Sequence, residues 1–482
     1  MLDIPEIMGL DSRVGFVRIP SELDVPLTER VRRLLDTESF RRLAKISQVG
    51  FVPLVYPAAC HTRFEHSLGV YRLALLFIRR LEHLQGFSEL ITRGDAELLI
   101  ISALLHDIGH WPFCHLIEDI LFERVSSHEL LARRYLFGDE VAELLRRDWA
   151  IEPDKVFELL NKQATSNDNI DEQGSGFGIH SSCFKIPEAE HASVASRSSC
   201  SEAKPTAHTG VGISRKFLSS ILSGPIDIDK MDYLYRDSLH AGVPYGRNLD
   251  NERLVGSLCM NAAGDGLAIT EKGKTAAELM IFARYVMFSE VYWHHAVRAA
   301  SAMFQCLVYE LLCEGKFDFE GLYGATESRF IDLVVGNSRG LRVESLADGL
   351  FGARRFLYKR VAQFGIMEQP EIYHKLAGKP YGYLWRVANR IGESILGGRR
   401  LCYVPVLVDA PPVEREIEIK IDVYFGKEEK YKPLEEISPV VRAMAKEQFD
   451  DYAKRVRIFA HPEIAPLLRK DETIIKILEK EI

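Results

Sequence analysis

Apolar residues recur at spacings of three and four through most of the first 160 positions. The stretches 25–37 (VPLTERVRRLLDT), 38–47 (ESFRRLAKIS), 69–84 (GVYRLALLFIRRLEHL), 96–109 (AELLIISALLHDIG) and 139–150 (DEVAELLRRDWA) each carry this stripe. It predicts a succession of amphipathic helices. Pro112 predicts the end of the 96–109 helix soon after its last apolar turn. The pattern is lost from 163 to 214, where Ser, Gly, Asn and Ala dominate without a sustained period. A disordered or looping insertion is expected there. Helical spacing returns at 215–224 and breaks at Pro225. A long helix is predicted over 274–315, with Arg284, Phe288, Tyr292 and His295 on one face. After about residue 400 the period changes. Residues 403–409 read as a short apolar strand, 415–425 as an alternating, half-buried strand, and 438–461 as a helix with a further strand. The expectation is a mainly α protein. A helical core spans 1–400, interrupted by 163–214, and a small α/β lobe spans 401–482.

At 482 residues, 47% hydrophobic and 27% charged, the chain has the make-up of a soluble globular protein with a large core. A net charge of −8 supplies no global field for nucleic acid or an anionic membrane. A polyanionic ligand would need a local cluster of Arg, Lys and metal. The eight cysteines include no CxxC pair, which argues against a zinc knuckle or a thioredoxin-like motif. A chain of this length needs no disulfide framework, and the reading is a cytoplasmic protein. The first residues lack a basic and then apolar leader, and the longest apolar run, LLIISALL, is too short to span a bilayer.

Three boxes concentrate the chemistry. His106-Asp107 follows an apolar helix, with His110 and His115 close behind. Upstream, HTRFEHSLGV carries His61 and His66; downstream, DIDKMDYLYRD carries Asp227, Asp229, Asp232 and Asp237. Nitrogen and oxygen donors from distant helices are what a divalent metal site in a helical bundle requires. An open position on such a metal can polarise a phosphoryl oxygen or activate water. Burying His106, Asp107, His110 and His115 without partners would be costly. Arg63 and His66 share a helix face, which puts a phosphate-binding guanidinium beside a ligand. Plainer readings stand beside these. His106-Asp107 could cap a helix end, Arg63 could pair with Glu65 on the surface, and Glu129 could simply favour a helix start. For Asp232 and Arg236 an ordinary i, i+4 ion pair is the better reading. His180, His191 and His208, inside the insertion, lack metal-ligand spacing.

The order and content of FRRLAKISQVGFVPLVYPAACHTRFEHSLGV, LLHDIGHWPFCH, GPIDIDKMDYLYRD and RYVMF…VYWHH resemble the HD-domain metal-dependent phosphohydrolases. Within these, they resemble the deoxynucleoside triphosphate triphosphohydrolases (dGTPase-like enzymes). The resemblance implies His66, His106, Asp107 and Asp229 as metal ligands. It implies His110 and His115 as catalytic histidines, with His128 and Glu129 in support. Arg63, Lys230, Arg284 and Tyr292 match phosphate contacts; Gln48, Tyr233 and Asp237 match residues that hold the deoxyribose. The implied reaction is attack of water on the α-phosphorus, releasing deoxynucleoside and triphosphate. The implied cofactor is one divalent transition metal (Fe, Mn, Zn, Ni or Co), with Mg accompanying the triphosphate. The implied partners are a dNTP substrate, a nucleotide effector and further copies of the chain, with no membrane or nucleic acid. Trp293, Phe288 and Ala44 depart from the residues found in animal members of that family, which leaves base preference and nucleotide activation open. Two rivals remain: another HD phosphohydrolase (5′-nucleotidase or phosphodiesterase), and a nucleotide-sensing or nucleic-acid-binding regulator. Arg63, Lys230 and Arg284 favour a long polyphosphate, and an intact ligand set favours catalysis over sensing.

Overall fold

The apolar stripes of the N-terminal half fold as helices whose buried faces meet in one core. In the computed structural model the described residues are 2–12, 15–21, 23–120, 127–161, 210–317, 322–397, 399, 401–411, 420–447, 453–468 and 471–481. A hairpin, β1 (Phe16–Ile19) and β2 (Leu23–Pro26), precedes the helices. Helix α1 (Arg63–Leu81) buries Leu68, Tyr71, Leu75, Phe77 and Ile78. Helix α2 (Arg93–Leu105) packs along it and is started by a capping box between Thr92 and Asp95. Helices α3 (Cys114–Glu118), α4 (His128–Leu136) and α5 (Pro153–Leu160) come next.

The insertion expected over 163–214 lies outside the described residues except for its last five positions. Those five already belong to α6 (Gly210–Ser223), so this helix begins earlier than its pattern suggested. Helix α7 (Ile228–Ala241) lies against α1.

The long helix predicted over 274–315 is two helices. Helix α8 (Lys274–Val286) runs into a π-helical turn, Met287–Tyr292, and α9 (His295–Cys313) restarts behind an N-cap at His294. Phe288 and Tyr292 stay ring to ring at 5.3 Å, and Arg284 and Tyr292 both reach α7, at Tyr233 and Asp237, whereas His295 starts the next helix. Helix α9 is long and apolar enough to cross a bilayer, but 72% of that stretch is buried inside the protein. It is a central core helix.

Two sheets complete the fold. One has the order β3 (Leu258–Met260), β4 (Leu267–Thr270), β7 (Asp422–Phe425), β8 (Lys430–Pro433), with β4 and β7 parallel. Of the strand predicted over 415–425, only the part after 419 is described. The other sheet places β9 (Val456–Ala460) between β5 (Lys359–Phe364) and β6 (Val406–Asp409), all antiparallel. Helix α10 (Tyr381–Leu396) covers it. A second apolar cluster, including Val361, Phe364, Leu384, Ile391, Val456 and Leu478, fills the space between. This cluster reaches back to residue 361, well before the border expected at 400. The reason is pairing: β9 satisfies the backbone groups of both its edges only with β5 and β6 together.

Candidate metal centre

Three backbone devices bring the ligands together. Helix α1 starts at Arg63, so His66 lies in its first turn. Helix α2 ends at Leu105, before His106 rather than at Pro112, and the chain turns sharply through Asp107 and Gly109. A Cβ on Gly109 would stand 2.0 Å from the His128 carbonyl oxygen, so glycine there admits the close approach of α4. Helix α7 is capped by Asp227, whose carboxylate accepts from the Lys230 backbone N–H at 2.7 Å, and this sets Asp229 in the first turn.

The donor atoms then converge. His66 Nε2 lies 3.1 Å from Asp229 Oδ1 and 3.2 Å from His106 Nε2. His106 Nε2 lies 3.4 Å from Asp107 Oδ1 and 3.8 Å from Asp229 Oδ1. Two donors each about 2.1 Å from one ion stand roughly 3.0–3.4 Å apart for right-angled or tetrahedral geometry and farther for wider angles, so His66, His106 and Asp229 fit a single cation, with Asp107 beside His106. The other ring nitrogens settle the tautomers. His66 Nδ1 is 2.8 Å from Asp232 Oδ2, and His106 Nδ1 is 2.9 Å from the Ala103 carbonyl oxygen. Both acceptors lack protons, so each Nδ1 donates and each Nε2 is the ring atom left to face a metal. The residues fit a divalent transition ion. Burial opposes charge on His66, yet hydrogen bonds to Asp229 and Asp232 outweigh it and raise its pKa to about 10. The pocket is thus built to hold positive charge at this point.

Around the centre lies a cavity of ≈ 320 Å³. Every site residue named from the sequence lines it except Lys230, Asp237, Arg284 and Tyr292. Arg63 is buried and donates to Asp107 Oδ2 at 2.8 Å. Burial works against the Asp107 charge, but His110, His106 and Arg63 hold its carboxyl well below the usual range. His110 is driven well below the ordinary imidazole pKa by burial and by Arg63, and His115 is lowered chiefly by burial. His110 Nε2 and His115 Nε2 are 3.3 Å apart. His128 Nδ1 is 3.1 Å from Glu118 Oε1, and His115 Nδ1 is 3.4 Å from Glu118 Oε2. Despite burial, these two histidines keep the Glu118 carboxyl well below its ordinary pKa.

The four residues outside the cavity wall are held elsewhere. The Lys230 ammonium donates to the Gly224 carbonyl at 3.0 Å and to Asp227. Arg284 hydrogen-bonds Tyr233. Asp237 accepts from Tyr292 Oη on one oxygen at 2.5 Å and lies 2.7 Å from His61 Nε2 through the other. Sequence reasoning missed two residues, Asp232 and Glu118. Asp232 was read as an ion pair with Arg236 alone. Its position three residues after Asp229 put it on the ligand-bearing face, and that was the available signal. Glu118 carried the same signal, three residues after His115.

The comparisons agree with this fold. The HD domain matches residues 63–165, and the HD associated region matches 249–477. An uncharacterized protein of Methanocaldococcus jannaschii is 27% identical over 466 residues, covering 95% of this chain and 82% of that protein. YwfO of Bacillus subtilis, also uncharacterized, is 31% identical over 273 residues, which are 56% of this chain and 49% of YwfO. The deoxynucleoside triphosphate triphosphohydrolase SAMHD1 of Gallus gallus is 31% identical over 268 residues, 54% of this chain and 40% of that protein. The chain therefore spans less than half the length of these last two relatives. Among solved structures, a hypothetical protein from Aquifex aeolicus superposes with a TM-score of 0.64 at 24% identity, covering 94% of this chain and 98% of that one. A phosphohydrolase from Bacteroides thetaiotaomicron does so with 0.61 at 20% identity, covering 92% and 99%. These likenesses establish the fold. HD domains bind divalent metal. The His-Asp pair at the end of α2, the donors brought to it by α1 and α7, and the two family matches lead to one assignment: the chain belongs to the HD-domain phosphohydrolase family.

Proposed function

We propose that this protein is a metal-dependent dNTP triphosphohydrolase, in which water attacks the α-phosphorus and deoxynucleoside and triphosphate leave. One observation carries the reading: the four ligands share a single nucleotide-sized cavity with Arg63 and Tyr233. The likeness to the Gallus gallus triphosphohydrolase supports the substrate class. A metal held by His66, His106, Asp107 and Asp229 would act as a Lewis acid on a phosphoryl oxygen. Arg63, fixed by Asp107, directs its remaining N–H groups at phosphate oxygens in a site shielded from water. His115, oriented by Glu118, holds a proton for the departing 5′-oxygen, and His110 and His128 flank it. Tyr233 walls the sugar side, with Gln48 at the same cavity. A cytoplasmic setting, a nucleotide effector and assembly with further copies belong to the same proposal. The test is product identity. Incubation with each dNTP should release intact triphosphate, resolved by ion chromatography; stepwise release of orthophosphate would sink the reading.

A second reading has its own support. Lys230 and Arg284, two of the cations named for a long polyphosphate, do not line the cavity. That favours a phosphohydrolase acting on a shorter phosphate ester, a 5′-nucleotidase or phosphodiesterase. The same panel, extended to nucleoside monophosphates and cyclic nucleotides, decides between them.

A further inference from the structure

His110, Cys114, His115 and His128 form a second donor set beside the first, with their ligand atoms all within 4.8 Å of one another. Two of the imidazoles have one nitrogen on the same carboxylate. His128 Nδ1 is 3.1 Å from Glu118 Oε1, and His115 Nδ1 is 3.4 Å from Glu118 Oε2. An ionised carboxylate accepts and cannot donate, so both Nδ1 atoms donate to it and the two Nε2 atoms are left to face the set. His110 Nδ1 is buried without a hydrogen-bond partner among the described residues, and its Nε2 stands only 3.3 Å from His115 Nε2. Cys114, fully buried, brings a sulfur to the same place. Tetrahedral donors stand roughly 3.3–3.8 Å apart, so the four atoms draw together when an ion binds. His115 and His128 also line the cavity, so an ion can reach the set from solvent.

We infer that these four side chains are a second metal site, separate from the His66–His106–Asp107–Asp229 centre, and that it takes a zinc-class transition cation. Three imidazoles and a thiolate are a borderline-to-soft donor set that suits Zn²⁺ and disfavours Mg²⁺. Binding displaces the Cys114 thiol proton to solvent and leaves the metal on the thiolate. The regulatory consequence rests on the function proposed above. Imidazoles whose Nε2 atoms bind a metal cannot hold the proton for the leaving oxygen, so filling this site stops turnover.

Co²⁺ reports the site directly, because thiolate–Co²⁺ charge transfer absorbs in the near ultraviolet and imidazole–carboxylate sites do not. Metal-stripped full-length protein titrated with Co²⁺ should develop that band. Cys114→Ser should abolish it, and His128→Gln should weaken it. His66→Gln, which removes a ligand of the first centre, should leave it in place. Excess Zn²⁺ should inhibit the wild type, and Cys114→Ser should need at least about tenfold more Zn²⁺ for the same inhibition, the low end of what loss of a metal-site partner costs. A wild-type spectrum without the thiolate band overturns the proposal. So does a band lost equally in His66→Gln, or Zn²⁺ sensitivity unchanged in Cys114→Ser. A thiolate band in a protein that hydrolyses no nucleotide would leave this site standing and remove the proposed function.

Discussion

Asp232 accepts a hydrogen bond from His66 Nδ1 at 2.8 Å, and this contact ties a metal-ligand candidate on α1 to a buried charge network on α7. Arg236 donates to both Asp232 oxygens at 2.7 Å and to Glu65 at 2.6 Å, and His240 lies 2.8 Å from the same Glu65 oxygen. Despite full burial, Arg236 and His66 bring the Asp232 pKa down to about 2. The carboxylate thus stays charged and fixes both the tautomer and the plane of the His66 ring. Gly69 makes room for it: a Cβ there would stand 1.9 Å from Asp232 Oδ1.

Asp232→Asn should therefore weaken metal binding without removing a ligand. The expected loss is about 10–100-fold in affinity, read by competition with a chelator of known strength. An unchanged affinity would mean that His66 is oriented by packing alone. Asp232→Ala is the poorer test, because stranding the Arg236 charge in the core would cost about 3–5 kcal/mol of stability.

Changing the ligands themselves should have a sharper outcome. His106→Ala and Asp107→Ala should each lose bound metal, measured by elemental analysis, together with turnover. Asp107→Ala should do further damage, since it also frees Arg63 from its 2.8 Å partner. Full activity in a metal-free Asp107→Ala protein would remove the metal from the mechanism.

Gly109 offers a test of how the site is assembled. Its added Cβ would meet the His128 carbonyl oxygen at 2.0 Å and the Ala132 nitrogen at 2.5 Å, both backbone atoms that cannot swing aside. Gly109→Ala should destabilise the fold by about 1–3 kcal/mol and separate His110 from His128. Gly336→Ala, in the helix Glu327–Ser338 with nothing within 4 Å, is the control and should be neutral or mildly stabilising in thermal melts. Equal melting temperatures for the two variants would show that α4 does not press on the HD turn.

The sugar end of the cavity carries the last prediction. Tyr233 lines the cavity, while Asp237, one turn further along α7, lies against Tyr292 and His61. An aromatic wall that crowds a 2′-hydroxyl should favour dATP over ATP by roughly 10–200-fold in kcat/KM. Tyr233→Ala should narrow that gap. Because Asp237 shares its carboxylate with Tyr292, Asp237→Asn and Tyr292→Phe should each raise KM, and the double variant should cost less than the sum of the two. Equal turnover of dATP and ATP by the wild type would move the assignment toward a general phosphohydrolase.

Much of this protein was legible along the chain, because its signals are local. Three-and-four spacing reports a helix face wherever that face is buried, so α1, α2 and α6 were readable from their apolar stripes, with ends shifted by several residues. Short polar boxes at the ends of apolar helices marked His66, His106, Asp107 and Asp229; the donor atoms of His66, His106 and Asp229 come together, and Asp107 lies beside His106. The features that could not be read there depend on partners far away in sequence. His66 and Asp232 are 166 residues apart, and only the packing of α7 on α1 makes one the acceptor of the other. Lys230 looked like a phosphate contact, but the Asp227 cap and the Gly224 carbonyl claim its ammonium. The π turn at Met287–Tyr292 has no signature in apolar spacing, because one extra residue in a turn shifts the helix that follows without changing the character of its side chains. Residue type and local period are properties of the chain, whereas a side chain's partner is chosen by the geometry of helices brought together to bury their apolar faces.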